Sequence, residues 1–360
     1  MANIRRVFLG GNTAEGFYSL HDNIIDINRN MLYIIKGMPG GGKSSMMKQI
    51  GKIATDNRYS VEYQHCPSDP NSIDGIVIDK LRIAIVDGTL PHAIEPVYPG
   101  LIDHIIDLGQ YIEMDKLQLY KDEIMLAKGN NKSSYRRAFN FFKASKSIYE
   151  EIENTNKSNV DFERINKLTL NYVDRIFNEG VIVDDFIGFK ERHLFSEAYT
   201  PEGYIDYTPS LLDGKKYRYY LEGNIGTGKT TFLNRIIEEA KMRNYHIEVY
   251  HNPLIPSKLD SVIIIELDTI ISTSIETKKY IHAVIDFDEF FDDENLNQED
   301  FRLFSSLVDR GIYALEGATK NHLVLENIYK KCINYEGINQ VRDRLINEIF
   351  EWRKKVRIMP

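Results

Sequence analysis

The sequence predicts an α/β chain of two tandem domains, each with a mostly parallel sheet, joined by a helical insertion. Three observations predict it. A glycine-rich run, G-M-P-G-G-G-K-S at residues 37–44, recurs as G-N-I-G-T-G-K-T at 223–230. Each run follows an apolar, β-leaning stretch (32–35; 217–221) and precedes a helical pattern (44–54; 230–242). The 360 residues suit two domains of ordinary size. The expected boundaries are 1–190 and 191–360, with the helical segment at 112–180.

Strand, glycine loop and helix in that order form the context that a phosphate-binding loop requires. Glycines let successive backbone N–H groups turn inward around an anion, and the helix N-terminus adds its positive end. Each domain is therefore expected to be a P-loop NTPase domain. The expected cradles are Gly37, Gly40, Gly41, Gly42, Lys43, Ser44 and Ser45, and Gly223, Gly226, Gly228, Lys229, Thr230 and Thr231. Lys43 and Lys229 would reach the β- and γ-phosphates, and the Ser44 and Thr230 hydroxyls would ligate Mg²⁺.

More than the loops repeats. A shift of 186 residues lays Lys43 on Lys229, His65 on His251 and Asp74 on Asp260. E-G-F at 15–17 echoes E-G-Y at 202–204, one residue out of step. The duplication thus starts near the N-terminus and again near Arg192. Residues 83–86 form an apolar strand run ending in Asp87, the form of a Walker B element whose carboxylate holds Mg²⁺. Under the shift Asp87 falls on Thr273. Glu266, Asp268, Asp286 and Asp288 are the nearby carboxylates that could compensate. Copy two is expected to keep its phosphate cradle with a degenerate Walker B, so that copy one turns over and copy two regulates.

Residues just beyond the carboxyl ends of strands are where α/β domains place function. A short strand at 61–64 is followed by H-C-P-S-D-P, so His65 and Asp69 are candidates facing the crevice of loop one. Asp69 would orient water or accept a proton, and His65 would contact phosphate or substrate. A Pro- and Asp-shaped turn is the plain alternative. His92, in the loop after Asp87, is a candidate γ-phosphate sensor. The catalytic candidates are thus Lys43, Asp69, Asp87, His65 and His92.

Within 112–180, residues 116–127, 134–155 and 161–178 carry apolar residues at helical spacing, punctuated by G-N-N-K at 129–132 and N-K-S-N at 156–159. Lys132, Arg136 and Arg137 form a basic cluster that would suit a lid over phosphates, or equally a solvated helix surface. The C-terminal tail offers only a shorter helical counterpart. Residues 180–187 are read as a strand at the domain boundary or as a late strand of the first domain.

A net charge of -8 argues against a general nucleic-acid binder. Two cysteines make neither a disulfide framework nor a zinc cluster. Without a signal-like apolar segment or a membrane-length run, a cytoplasmic protein without membrane contact is expected. A protein partner or a homodimer is compatible with the chain.

Together, the two glycine loops, the H-C-x-S-D-P-x-S-x-D-G segment at 65–75 and the V-D-G-T-x-P-H segment at 86–92 resemble a family of tandem P-loop ATPases from spore-forming, low-GC Gram-positive bacteria. The resemblance covers essentially the whole chain. It implies ATP or GTP binding in an α/β domain, with Asp87, Thr89 and His92 as the D-G-T-x-P-H residues. Family members are expected to repeat a P-H segment in copy two, where this chain has T-S-I-E-T-K at 273–278. The expected function is Mg²⁺-dependent binding and slow or partner-stimulated hydrolysis of a nucleoside triphosphate. The alternatives are a small-molecule or nucleotide kinase and a non-catalytic, nucleotide-gated scaffold.

Overall fold

A computed structural model describes residues 2–91, 93–179, 186–292 and 296–356, without the side chains of 352–356. The first half contains β1 (Ile4–Phe8), β2 (Gly10–Thr13), β3 (Gly16–Ser19), β4 (Met31–Lys36), α1 (Lys43–Asp56), β5 (Val61–Cys66), β6 (Asp69–Ile78), β7 (Ile83–Asp87) and β8 (Asp103–Asp107). Helices α2 (Met114–Gln118), α3 (Lys121–Lys157) and α4 (Phe162–Glu179) follow. The second half contains β9 (Glu191–Leu194), β10 (Glu197–Thr200), β11 (Gly203–Asp206), α5 (Thr208–Leu212), β12 (Tyr217–Glu222), α6 (Lys229–Met242), β13 (Ile247–His251), β14 (Leu259–Ile264), β15 (Thr269–Ser272) and β16 (Ala283–Asp286). It closes with α7 (Gln298–Lys330) and α8 (Tyr335–Val356).

The duplication is visible in the topology. One six-stranded sheet runs β1-β5-β6-β7-β4-β8, and the other runs β9-β13-β14-β15-β12-β16, position for position the same order. Both sheets are mixed rather than mostly parallel. β6 and β14, each reached from the preceding strand by a short loop, run antiparallel to both neighbours. A hairpin connection reverses direction, whereas the helical crossover through α1 or α6 keeps it. Both sheets bulge at the same place, beside His65 and His251.

Alternation along the strands explains why their sequence reads as continuous apolar runs. In β4, Tyr33 and Ile35 face a core with Met47 and Ile50 of α1, while Leu32 and Ile34 face a second core with Tyr250, Ile263 and Ile270 of the other sheet. In β14, Val262 and Ile264 meet α6 while Ile263 joins the shared core. A sheet buried on both faces needs apolar residues on both.

Helices are exchanged between the halves. α4, which follows the first sheet, lays Ile165, Val173, Ile176 and Phe177 on the second sheet. α8, which follows the second sheet, lays Ile338, Val341, Leu345 and Ile349 on the first. The connectors are α3 and α7, of 37 and 33 residues, packed antiparallel with Phe142 over Gly311 and Asn131 bonded to the Ala318 carbonyl at 2.9 Å. α3 runs unbroken through 129–132, contrary to the expected punctuation there, because Ala127, Ala138 and Phe142 bury one face along α7. The C-terminal tail is a full counterpart of the α3–α4 pair, not a shortened one. Residues 180–185, most of the expected boundary strand, lie outside the described residues, and Phe186 and Ile187 are not in a strand.

Between the two sheets sits a cluster of four charges. Arg5 of β1 pairs with Glu248 of β13 at 2.6 Å, and Arg192 of β9 pairs with Glu62 of β5 at 2.6 Å. Each arginine thus neutralises the other copy's carboxylate, with cross contacts at 3.6 Å (Arg5–Glu62) and 3.4 Å (Arg192–Glu248). The Tyr250 hydroxyl donates to Glu248 and the Gln64 amide to Glu62. Burial pushes the Glu248 carboxyl up, but Arg5 and Arg192 outweigh it and hold it at about 2. A carboxyl depressed in this way stabilises the fold above the ordinary carboxylate range, and the contribution is lost as pH falls towards 2.

Removing one member of a buried pair leaves its partner uncompensated, which costs about 3–5 kcal/mol. Glu248→Ala is therefore expected to lower the urea-unfolding free energy by about that amount. A loss no larger than the roughly 1 kcal/mol of an exposed pair would remove this cluster from the structure's essential contacts.

Candidate functional site

Loop one leaves the carboxyl end of β4 and enters α1 at Lys43. Gly40 and Gly42 take φ of 70° and 78°, a left-handed conformation that side chains resist. The Lys43 ammonium folds back to donate to the Gly37 and Met38 carbonyls at 3.1 and 3.0 Å. It lies 3.5 Å from Asp87 Oδ2. Asp87 arrives there because β7 runs parallel beside β4 with Asp87 opposite Ile35. Its Oδ1 accepts the Thr89 N–H at 2.9 Å and the Thr89 hydroxyl, fixing the carboxylate. Ser44 Oγ accepts the Ile73 N–H at 3.1 Å, and Ser45 is exposed on the first turn.

Loop two repeats the backbone. Gly226 and Gly228 take φ of 88° and 105°, and Lys229 donates to the Gly223 and Asn224 carbonyls at 2.5 and 2.6 Å. Thr230 and Thr231 open α6. The carboxylate is what differs. β15 pairs with β12 up to Ser272 opposite Tyr220, so the next residue, Thr273, occupies the place of Asp87. Of the carboxylates expected to compensate, Glu266 holds His246 and Asp268 lies 3.5 Å from Lys215, both before β15 begins at Thr269, away from the loop. Asp288 instead grips the loop itself, accepting from the Asn224 backbone N–H at 2.7 Å and its side-chain amide at 3.0 Å. Burial lowers the Lys229 ammonium to about 8, against the pull of Asp288 and Asp260.

Left-handed glycines and a lysine at the start of a helix recur in both loops, a combination whose chemistry suits an oxyanion. Among the described residues no group of three or more His, Cys, Asp or Glu side chains is placed to hold a metal ion. Ser44, next in sequence to Lys43, and Asp87, 3.5 Å from its ammonium, carry hard oxygen donors of the kind Mg²⁺ takes, and most of its shell would come from a ligand's phosphates and water.

The remaining candidates separate. His65 is committed inside the protein: Nδ1 bonds the Pro70 carbonyl at 2.9 Å and Nε2 bonds the Arg6 guanidinium at 2.8 Å. Burial lowers its pKa to about 4, so the ring is neutral at pH 7. His251 makes the matching bond to the Pro256 carbonyl at 2.6 Å, so the repeated histidine ties down the bulged loop in both copies. Asp69 accepts from Asn71 N–H at 3.2 Å and the Ser72 hydroxyl at 2.5 Å, the turn-forming role. It begins the strand whose Ile73 touches Ser44. His92 lies outside the described residues. Lys132, Arg136 and Arg137 are exposed along α3, not at the helix ends that touch the loops.

The sequence did not point to a cleft of about 240 Å³ in copy two, bounded by Glu197, Tyr204, Asp206, Asn252, Asp260 and Thr273. Glu197 is 3 % exposed. Burial, with the charges of Asp260 and Asp206, pushes its carboxyl well above the usual range. Asp260 is held by the Asn252 amide at 3.0 Å. The only sequence signal was Asp260 matching Asp74; Glu197 falls opposite Gly10 when the hairpins β2–β3 and β10–β11 are superposed.

A carboxyl raised on folding stabilises the protein most below its unfolded value, and that stability is lost as pH rises through the folded one. The melting temperature is expected to fall as pH rises above the ordinary carboxylate range, and Glu197→Gln, which stays neutral, should flatten that decline. An unchanged slope in the variant would place the titrating group elsewhere.

Comparison with protein-family models, curated proteins and solved structures found no match to the chain.

Proposed function

We propose that the chain binds a nucleoside triphosphate, ATP before GTP, with Mg²⁺ at its two glycine loops. Copy one hydrolyses it slowly or on stimulation by a partner, and copy two regulates. The observation that carries this reading is the asymmetry at equivalent register: Asp87 lies 3.5 Å from Lys43, while continuation of the same register puts Thr273 in its place in copy two. A bound magnesium ion would supply charge neutralisation at the phosphates. Lys43 would hold the phosphate chain against the loop amides, Ser44 and Asp87 would fix the ion, and Asp87 would orient attacking water through it. Loop two has the cradle without that carboxylate, which favours binding over turnover.

Lys43→Ala is expected to abolish steady-state hydrolysis, and Asp87→Asn to lower the Mg²⁺-dependent rate by about 10²-fold or more with binding retained. Phosphate release by the purified protein measures both. A wild-type rate in either variant would take that residue out of the role. Lys229→Ala should change cooperativity more than maximal rate; equal loss from both lysine changes would favour a composite machine.

A phosphate beside Lys229 favours its charged form. Binding at loop two should therefore weaken as pH rises past about 8, with proton uptake on binding. Calorimetry of Lys43→Ala in two buffers of different ionisation enthalpy tests this, and identical heats at pH 8.5 would contradict it.

A further inference from the structure

The exchanged helices do more than cover sheets: each helix pair ends on the opposite copy's glycine loop. At loop one, the end of α7 presses so closely on Gly40 that a Cβ there would lie 3.0 Å from the Glu326 carbonyl and 3.1 Å from the Lys330 side chain. The Tyr335 hydroxyl, opening α8, donates to the Gly40 carbonyl at 3.1 Å. At loop two the end of α3 does the same. A Cβ on Gly226 would lie 2.8 Å from the Glu153 carbonyl, and the Asn156 amide donates to the Ile225 carbonyl at 2.8 Å. Asn156 is 2 % exposed. The elbows between the helices are stitched to the opposite copy as well. Ile333 bridges Ile112, and Val160 bridges Phe291.

Each loop therefore packs directly against the arriving end of a long helix from the other half. α3 and α7 lie side by side, with Phe142 locked over Gly311 and Tyr149 against Phe304, so a displacement at one end is shared between them. Packed rigid elements of this kind carry coupling between distant sites. Resting on the nucleotide-binding reading of the loops, we infer that Asn156 and Tyr335 are positioning residues acting across the copies. Through them the crossed helix pair links occupancy of one loop to affinity at the other. Asn156 holds loop two open for phosphate, and Tyr335 does so for loop one. Neither touches the loop whose affinity it would alter at a distance.

The test is calorimetric titration of the full chain with a non-hydrolysable ATP analogue and Mg²⁺. Lys43→Ala and Lys229→Ala isolate one loop each. Asn156→Ala in the Lys229→Ala background leaves only loop one to be read, remote from the substitution. The expected result is a change of about 5-fold or more in loop-one affinity, the lower end of usual allosteric coupling. Tyr335→Phe in the Lys43→Ala background should shift loop-two affinity in the same way; it removes a single hydroxyl, so it keeps the test available if Asn156→Ala fails to fold. Remote affinities unchanged in the folded variants, with both loops binding, would overturn the coupling and leave nucleotide binding standing. Absence of any binding heat in the unmodified protein would overturn both.

Discussion

Everything in this molecule is arranged around the pairing of Arg5 with Glu248 and of Arg192 with Glu62 between the two sheets. Charges buried between two sheets are tolerable only when each has an opposite charge in contact. Here every short pair crosses from one copy to the other, so neither half can satisfy its own charges in isolation at these distances. The apolar alternation of β4, β7, β14 and β15 closes the seam around the cluster.

Exchange of α4 and α8 makes the same dependence on the outer faces. The first sheet's helical cover comes in part from the end of the chain, and the second sheet's from its middle. Burying those helices stabilises the fold in proportion to the apolar area removed from water, wherever in the chain the helix lies. The route has a geometric by-product: α3 and α7 must traverse the molecule, and their ends arrive at the glycine loops. A connection needed for packing thereby brings backbone of one copy against the most conformationally demanding residues of the other, Gly40 and Gly226.

Against that near-symmetry the differences between copies stand out. Asp87 beside Lys43 is replaced by Thr273 at the same register, while Asp288, in the turn after β16, holds the loop-two backbone and acts on Lys229 by its charge. Glu197 and Asp260 line a cleft in copy two, and Glu197 stands where copy one has Gly10. Two loops with one backbone and different charge surroundings are suited to different tasks.

The duplication, the two strand–loop–helix units, the strand ending in Asp87 and its replacement by Thr273 were legible in the sequence, because they rest on local pattern and on spacing that survives folding. The mixed character of the sheets was not, since the direction of β6 depends on which strand edge the chain finds after its turn. The role of His65 was not legible either: only proximity to Arg6 and the Pro70 carbonyl turns a candidate phosphate contact into a strut. The paired arginines and glutamates look like ordinary surface charges in sequence, and α3 and α7 like surface helices. Tertiary structure alone decided that the charges meet and the helices cross, because a contact between distant residues depends on where both elements pack, which neither segment encodes by itself.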